Sequence, residues 1–231
     1  MLKAKGNPIG IAINQNSNDA NNSWHALLWS YGVSYAKEDG KMADINNSAT
    51  REVVKFAVDL YKNAMTDEVL SWDDTGNNTG LLQGRLSWIQ NPISALRTIE
   101  KEKPDLAKNI AIALPHGGPK GRFTSVSTQT FGVMNWSESV PAAKAFIRDY
   151  YAVYPEAVKV SEGYNQPLLK EFRKKPMPIL GEDPRLTLLQ DFEQVARNSG
   201  HPGPPTPASA EVETNWIVPL MIGREIGRAH V

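Results

Sequence analysis

Three short stretches set an indole beside amides and carboxylates. They are Asn18-Asp19-Ala20-Asn21-Asn22-Ser23-Trp24, Trp72-Asp73-Asp74 followed by Asn77-Asn78, and Trp88-x-x-Asn91. An amide both donates and accepts hydrogen bonds, a carboxylate accepts, and an indole offers a flat apolar face. That combination matches a polyhydroxylated ligand, which shows apolar C–H faces ringed by hydroxyls. Each stretch also has an ordinary structural role. A tryptophan packs in a core, an Asn before Pro caps a helix, and an Asn-rich run makes turns. Packing is the preferred reading for Trp29 and Trp88. Trp24 and Trp72 stand open between the two.

Signatures of catalysis are missing. The chain carries no P-loop, no Gly-x-Ser-x-Gly elbow and no dinucleotide fingerprint. Its histidines, His25, His116, His201 and His230, are far apart, and none has a second ligand at helical spacing. With no cysteine, disulfides, thiolate metal sites and cysteine nucleophiles are excluded. Asp73 and Asp74 are adjacent, and on an extended segment they point to opposite faces. A glycoside hydrolase would need two carboxyls converging at roughly 5–9.5 Å. A carbohydrate-active hydrolase is therefore the alternative, and a non-enzymatic binder with no cofactor and no metal is the preferred reading. Lys plus Arg and Asp plus Glu number 25 each, and the zero net charge removes the footprint of a nucleic-acid binder. No apolar run reaches the about 20 residues that cross a bilayer.

The elements that must position these groups alternate. Pro8–Asn14 reads as a strand, 15–22 as a polar loop, and Trp24–Tyr31 as a helix ended by Gly32. Val53, Val54, Ala57, Leu60, Tyr61 and Ala64 mark one face of a helix that Ser48 would cap. Leu86–Gln90 reads as a strand. Asn91-Pro92 then looks like N-cap and first residue of a helix that stops before Pro104. Ile110–Leu114 and Ser125–Met134 read as strands around a Gly- and Pro-rich loop, 115–122. Helices follow at Val140–Tyr154, capped by Ser139, and from Asp183-Pro184 to about Ala196. A proline-rich connector, 200–207, leads to a last helix over Ala208–Ile222. Strands alternating with helices give an α/β class.

In chain order, these segments resemble the bacterial extracellular solute-binding proteins, the large sugar-binding group that includes the maltodextrin-binding proteins. The resemblance rests on Leu28-Trp29-Ser30-Tyr31-Gly32, Ser71-Trp72-Asp73-Asp74 with Asn77-Asn78, and Gly84 with Asn91-Pro92-Ile93-Ser94. It continues in Leu114-Pro115 with Gly117-Gly118-Pro119-Lys120-Gly121-Arg122, and in Gly200-His201-Pro202-Gly203-Pro204-Pro205-Thr206-Pro207-Ala208 running into Glu211-Val212. These cover nearly the whole chain.

The resemblance implies a periplasmic-binding-protein-like type II fold, two α/β lobes closing on a ligand. Residues 1–124 and 168–224 would form the carboxy-terminal lobe, and 125–167 a return segment of the amino-terminal lobe, most of which would lie outside this chain. It implies ligand contacts from Asn21, Asn22 and Trp24, from Asn91 and Ser94 at a helix start, and from Glu211 near the cleft floor. Trp72 and Asp73 would contact ligand or pack the hinge side, and Tyr164 would touch ligand or form hinge. It implies a sugar ligand and partner permease subunits of an ABC transporter. The receptor would be a monomer in the periplasm or a cell-surface lipoprotein. Glycerol phosphate or polyamine is the alternative solute. The start at Met1 has no signal-peptide core. The final Ile226–Val231 is what ATC-GGA-AGA-GCA-CAC-GTC encodes, which resembles a common sequencing adapter, so 225–231 is read as adapter read-through.

Overall fold

The computed structural model describes residues 2–14, 18–126, 130–166, 169–173, 183–198 and 211. The chain divides into two units. One comprises Met1–Ile110, Leu114–Val126 and Gln194–Val231, and the other Ala111–Ala113 and Ser127–Glu193.

In the first unit, β1 (Ile9–Gly10) runs parallel to β2 (Trp88–Ile89), with Ile9 opposite Trp88. On its other side Ile9 bridges Met65, donating to the Ala64 carbonyl at 3.0 Å and accepting from the Thr66 N–H at 3.2 Å. The ladder is shorter than the apolar run predicts. Ile11, Ala12 and Ile13 continue buried without strand pairing, because hydrophobic alternation selects burial while a strand also needs a partner at every step.

Two helices cover this core. α1 (Asn18–Ser30) begins inside the stretch that its composition marks as loop. It ends as predicted. Gly32 adopts φ 79°, its N–H reaches the Trp29 carbonyl, and the Val33 N–H reaches Leu28, both at 2.9 Å. This is a Schellman stop, which glycine permits because it has no Cβ. α2 (Ser48–Asn63) buries Val53, Ala57 and Tyr61. Its cap is Asn47 rather than Ser48: the Asn47 side chain accepts from the Thr50 N–H at 2.9 Å. Both residues are good caps. Asn47 has the extended backbone that the role demands, whereas Ser48 is already helical.

Next come α3 (Gly76–Leu82), α4 (Ser94–Glu102) and α5 (Pro104–Ala107). Within the expected loop, β3 (Gly117–Gly118) and β4 (Gly121–Arg122) form a hairpin. Its Lys120 N–H donates to the Ser30 carbonyl at the end of α1, at 2.9 Å. β5 (Thr124–Val126) pairs in parallel with β6 (Ala196–Asn198). The helix expected through Ala196 therefore gives way to strand; Pro184–Asp191 is 3-10 and α8 covers only Phe192–Val195.

The second unit holds α6 (Val140–Ala152) and α7 (Tyr154–Val160). Ser139 precedes α6 without a side-chain capping bond. No residue of α6 is buried, and Phe146 is 68 % exposed. Residues 110–114 are not strand, and neither are 130–134; 127–129 lie outside the described residues. An apolar run does not reveal whether a neighbouring strand is there to pair with it. The 200–207 connector, the Ala208–Ile222 helix apart from Glu211, and residues 225–231 also lie outside the described residues.

Candidate functional site

The start of α1 is held from another part of the chain. Asp74 accepts at Oδ1 from the backbone N–H of Asp19, at 3.1 Å, and at Oδ2 from the Asn18 amide, at 3.4 Å. The first N–H groups of a helix have no intrahelical acceptor, and a carboxylate there also meets the positive end of the dipole. Asp74 thus meets two donors of the first turn of α1 from a distant part of the chain.

Close approach of α3 builds the next layer. A Cβ on Gly76 would sit 2.2 Å from Trp72 Cγ, and one on Gly80 2.5 Å from Leu86 Cδ1. Only glycine at both positions lets the α3 backbone come this near its neighbours. That brings Asn77, 1 % exposed, into a polar cluster. Its Nδ2 lies 2.8 Å from Asp19 Oδ2, 3.1 Å from Asn91 Oδ1 and 3.2 Å from the Gln90 carbonyl. Its Oδ1 accepts from the Asn78 N–H at 2.8 Å. Asn91 in turn reaches Ser94 Oγ at 3.5 Å and the Pro92 carbonyl at 3.1 Å. Asn91 does not cap α4, which starts at Ser94 with no side-chain cap. Its oxygen is engaged by Asn77 instead.

The electrostatics follow the contacts. Burial pushes the Asp19 carboxyl above its usual range, the Asn77 hydrogen bond pulls it back, and the neighbouring Asp74 pushes it up again. Asp73 is held low by the Thr75 hydroxyl and then by the Thr75 N–H, which donate to it at 2.6 and 2.8 Å. Those bonds make Asp73 the anchor of the turn into α3.

Of the residues singled out in the sequence, Asn91 and Ser94 meet each other and join the cluster through Asn77. Asn21 and Asn22 are half-buried on α1. Trp24, on the same helix, has no exposed surface and packs in the core. Trp72 is half-buried, packed on that core and fitted against Gly10 and Gly76. Its carbonyl accepts from the Asn14 amide. Tyr164 belongs to the second unit, 52 % exposed, and Glu211 is helical and exposed. Sequence reasoning missed the organising role of Asn77 and of its partners Asp19 and Asp74. A signal existed in Gly76-x-x-x-Gly80, small residues one helical turn apart that mark a closely approached face.

Among the described residues, no partner reaches the buried side-chain oxygens of Asn21, Asn78 and Gln90, or the indole N–H of Trp24. An unsatisfied buried polar atom costs about 1–3 kcal/mol. No group of three or more potential metal ligands occurs among the described residues.

The fold is that of periplasmic binding proteins. A sugar transporter of Arthrobacter chlorophenolicus A6, solved with bound laminaribiose, superposes with a TM-score of 0.75 at 16% identity, over 96% of this chain and 57% of that one. Maltose-bound MalE3 of T. maritima matches with a TM-score of 0.71 at 20% identity, over 92% and 54%. The chain thus spans a little over half the length of these structures. No curated protein matches it significantly in sequence. The family model for bacterial extracellular solute-binding proteins matches residues 1–167, and the chain belongs to that family.

Proposed function

We propose that the full-length protein is the substrate-binding component of an ABC importer and takes a sugar or oligosaccharide by closure of two lobes. Residues 1–124 and 168–224 belong on this reading to one lobe, and 125–167 return to the other. The first unit supplies one wall of the binding site, with contacts from Asn21, Asn22, Asp73, Asn91 and Ser94 and an edge of Trp72. Trp24 stands behind them as core. Tyr164 and Glu211 contribute from the crossover and from the cleft floor. Ligand stabilises the closed form because only that form contacts it from both sides. The receptor works as a monomer outside the cytoplasmic membrane, in the periplasm or as a surface lipoprotein, and delivers to permease subunits.

The observation that carries this reading is the cluster in which the Asn77 amide ties Asp19 on α1 to Asn91 before α4. Amides and carboxylates together read hydroxyls. An anionic solute would call for Arg or Lys, and none takes part in the cluster's hydrogen bonds among the described residues. The two sugar-bound structural relatives support the same class. The hydrolase alternative would need Asp19 and Asp74 as an acid pair, yet both Asp74 oxygens are used in holding the start of α1.

Thermal-shift screening of the full-length protein against sugars, glycerol phosphate and polyamines tests the proposal. A rise in Tm with one sugar class alone is expected. A rise with the phosphate or polyamine and none with sugars overturns it.

A further inference from the structure

Asn77 is an almost completely buried side chain in a helix of only seven residues, and every polar atom it has is used. Its two amide hydrogens serve three acceptors contributed by α1, by the end of β2 and by the approach to α4. A buried amide is tolerated only when it is bonded in this way. The bond to Asp19 uses Oδ2. Asp19 Oδ1 has no hydrogen-bond partner among the described residues, although the side chain is half-buried. Asp19 is thus clamped by one oxygen, and the other still accepts.

We propose that Asn77 is a positioning residue, holding Asp19 and Asn91 in one fixed relation so that the second oxygen of Asp19 accepts a ligand hydroxyl. This rests on the reading of the site as one for a polyhydroxylated solute. Asn77 need not touch ligand. A neutral donor is required at this position because its nearest neighbour is a carboxylate whose own neighbour, Asp74, is another. Aspartate has the same shape but cannot donate when ionised, and it would add a third negative charge. Specificity then comes from Asp19: a rigid carboxylate oxygen selects a hydroxyl at one place on the sugar ring and rejects an analogue lacking it.

A donor–acceptor swap separates positioning from mere support of the fold. The full-length protein, Asn77→Asp, Asp19→Asn and the double variant Asn77→Asp/Asp19→Asn are compared by Tm and by calorimetric titration with laminaribiose and with maltose. In the double variant the new Asn donates to the new Asp, so the buried bond is remade with its polarity reversed. Asn77→Asp is expected to lower Tm and to weaken binding by about tenfold or more. The double variant is expected to recover part of the Tm, since only the bond to position 19 is remade and the Asn91 and Gln90 oxygens lose their donor, and to remain about tenfold weak, because position 19 no longer carries a carboxylate. Recovery of both Tm and affinity would show a structural role only and overturn the proposal. So would Asn77→Asp losing Tm with unchanged affinity. If the parent protein binds neither these nor any other sugar, the sugar reading itself fails and takes this proposal with it. That result is distinct from a parent that binds and a swap that binds equally well.

Discussion

The backbone N–H of Asp19 donates to the carboxylate of Asp74 at 3.1 Å, across 55 residues of chain. This contact holds the first described turn of α1. The Asn18 amide reaches the same carboxylate at 3.4 Å. The start of one helix and the turn into another are therefore a single unit. The Thr75–Asp73 bonds make that turn rigid from within.

Asp74→Ala should fray the first turn of α1 and lower stability by about 1 kcal/mol, the usual worth of a helix cap. Asp74→Asn keeps an acceptor oxygen and should lose less. Amide hydrogen exchange at Asp19 and Ala20 reads the effect directly: faster exchange in Asp74→Ala than in Asp74→Asn is expected. Equal exchange in all three proteins would remove the capping role.

Gly118→Ala should be destabilising by about 1–3 kcal/mol through overpacking. A Cβ there would lie 2.6 Å from the Ser30 carbonyl oxygen and 2.7 Å from Ser30 Oγ. That carbonyl cannot withdraw without losing its bond from the Lys120 N–H. Urea unfolding of the variant checks the size of the loss. Gly40→Ala is not an equivalent control, because Gly40 has φ 67° and is strained by any side chain even in open space.

Acid should weaken the fold through His25. The imidazole is buried and stacked on Trp29, with centroids 4.9 Å apart and an interplanar angle of 7°. Burial lowers its pKa from 6.5 to about 4. Above 6.5 both folded and unfolded forms are neutral and the contribution is complete. Between 6.5 and about 4 the unfolded chain binds the proton and the folded one does not, so stability falls as pH falls, by up to about 3 kcal/mol. Asp19, whose carboxyl burial raises from 3.8, contributes with the opposite sign in the window just above 3.8. His25→Phe retains a ring against Trp29 and removes the titration. Unfolding measured at pH 7.5 and 4.5 should show a smaller acid loss in His25→Phe than in the parent protein.

The 231-residue chain should bind hydrophobic dyes through its second unit, whose rings the rest of that lobe would cover on the reading proposed above. Phe146 is 68 % exposed, Trp136 78 % and Phe131 50 %, and Phe131 packs edge-on against Tyr150 at 5.2 Å. Exposed aromatic rings of this kind are an association liability. Phe146→Lys with Trp136→Lys should reduce dye fluorescence and light scattering together, with little change in the circular dichroism of α6. Unchanged dye binding would place the exposed apolar surface elsewhere.

The sequence by itself determined the helices whose signals are local. The Val53, Ala57 and Tyr61 face of α2 follows from 3.6-residue periodicity, and the end of α1 from Gly32, because these depend on neighbours within one or two turns. It also placed Asn91 and Ser94 near one another and found the polar character of the 18–24 and 72–78 stretches. Tertiary structure decided the rest. The 18–22 stretch is helix with Asp74 holding its first turn, Asn91 engages Asn77 with its oxygen, and Trp24 went into the core. Residues 196–198 became strand because β5 offered an edge. Periodicity and turn chemistry report what a segment can do with itself. Which distant group supplies its missing partner is fixed only when burial brings the two together, since the cost of leaving a polar group unpaired exists only there.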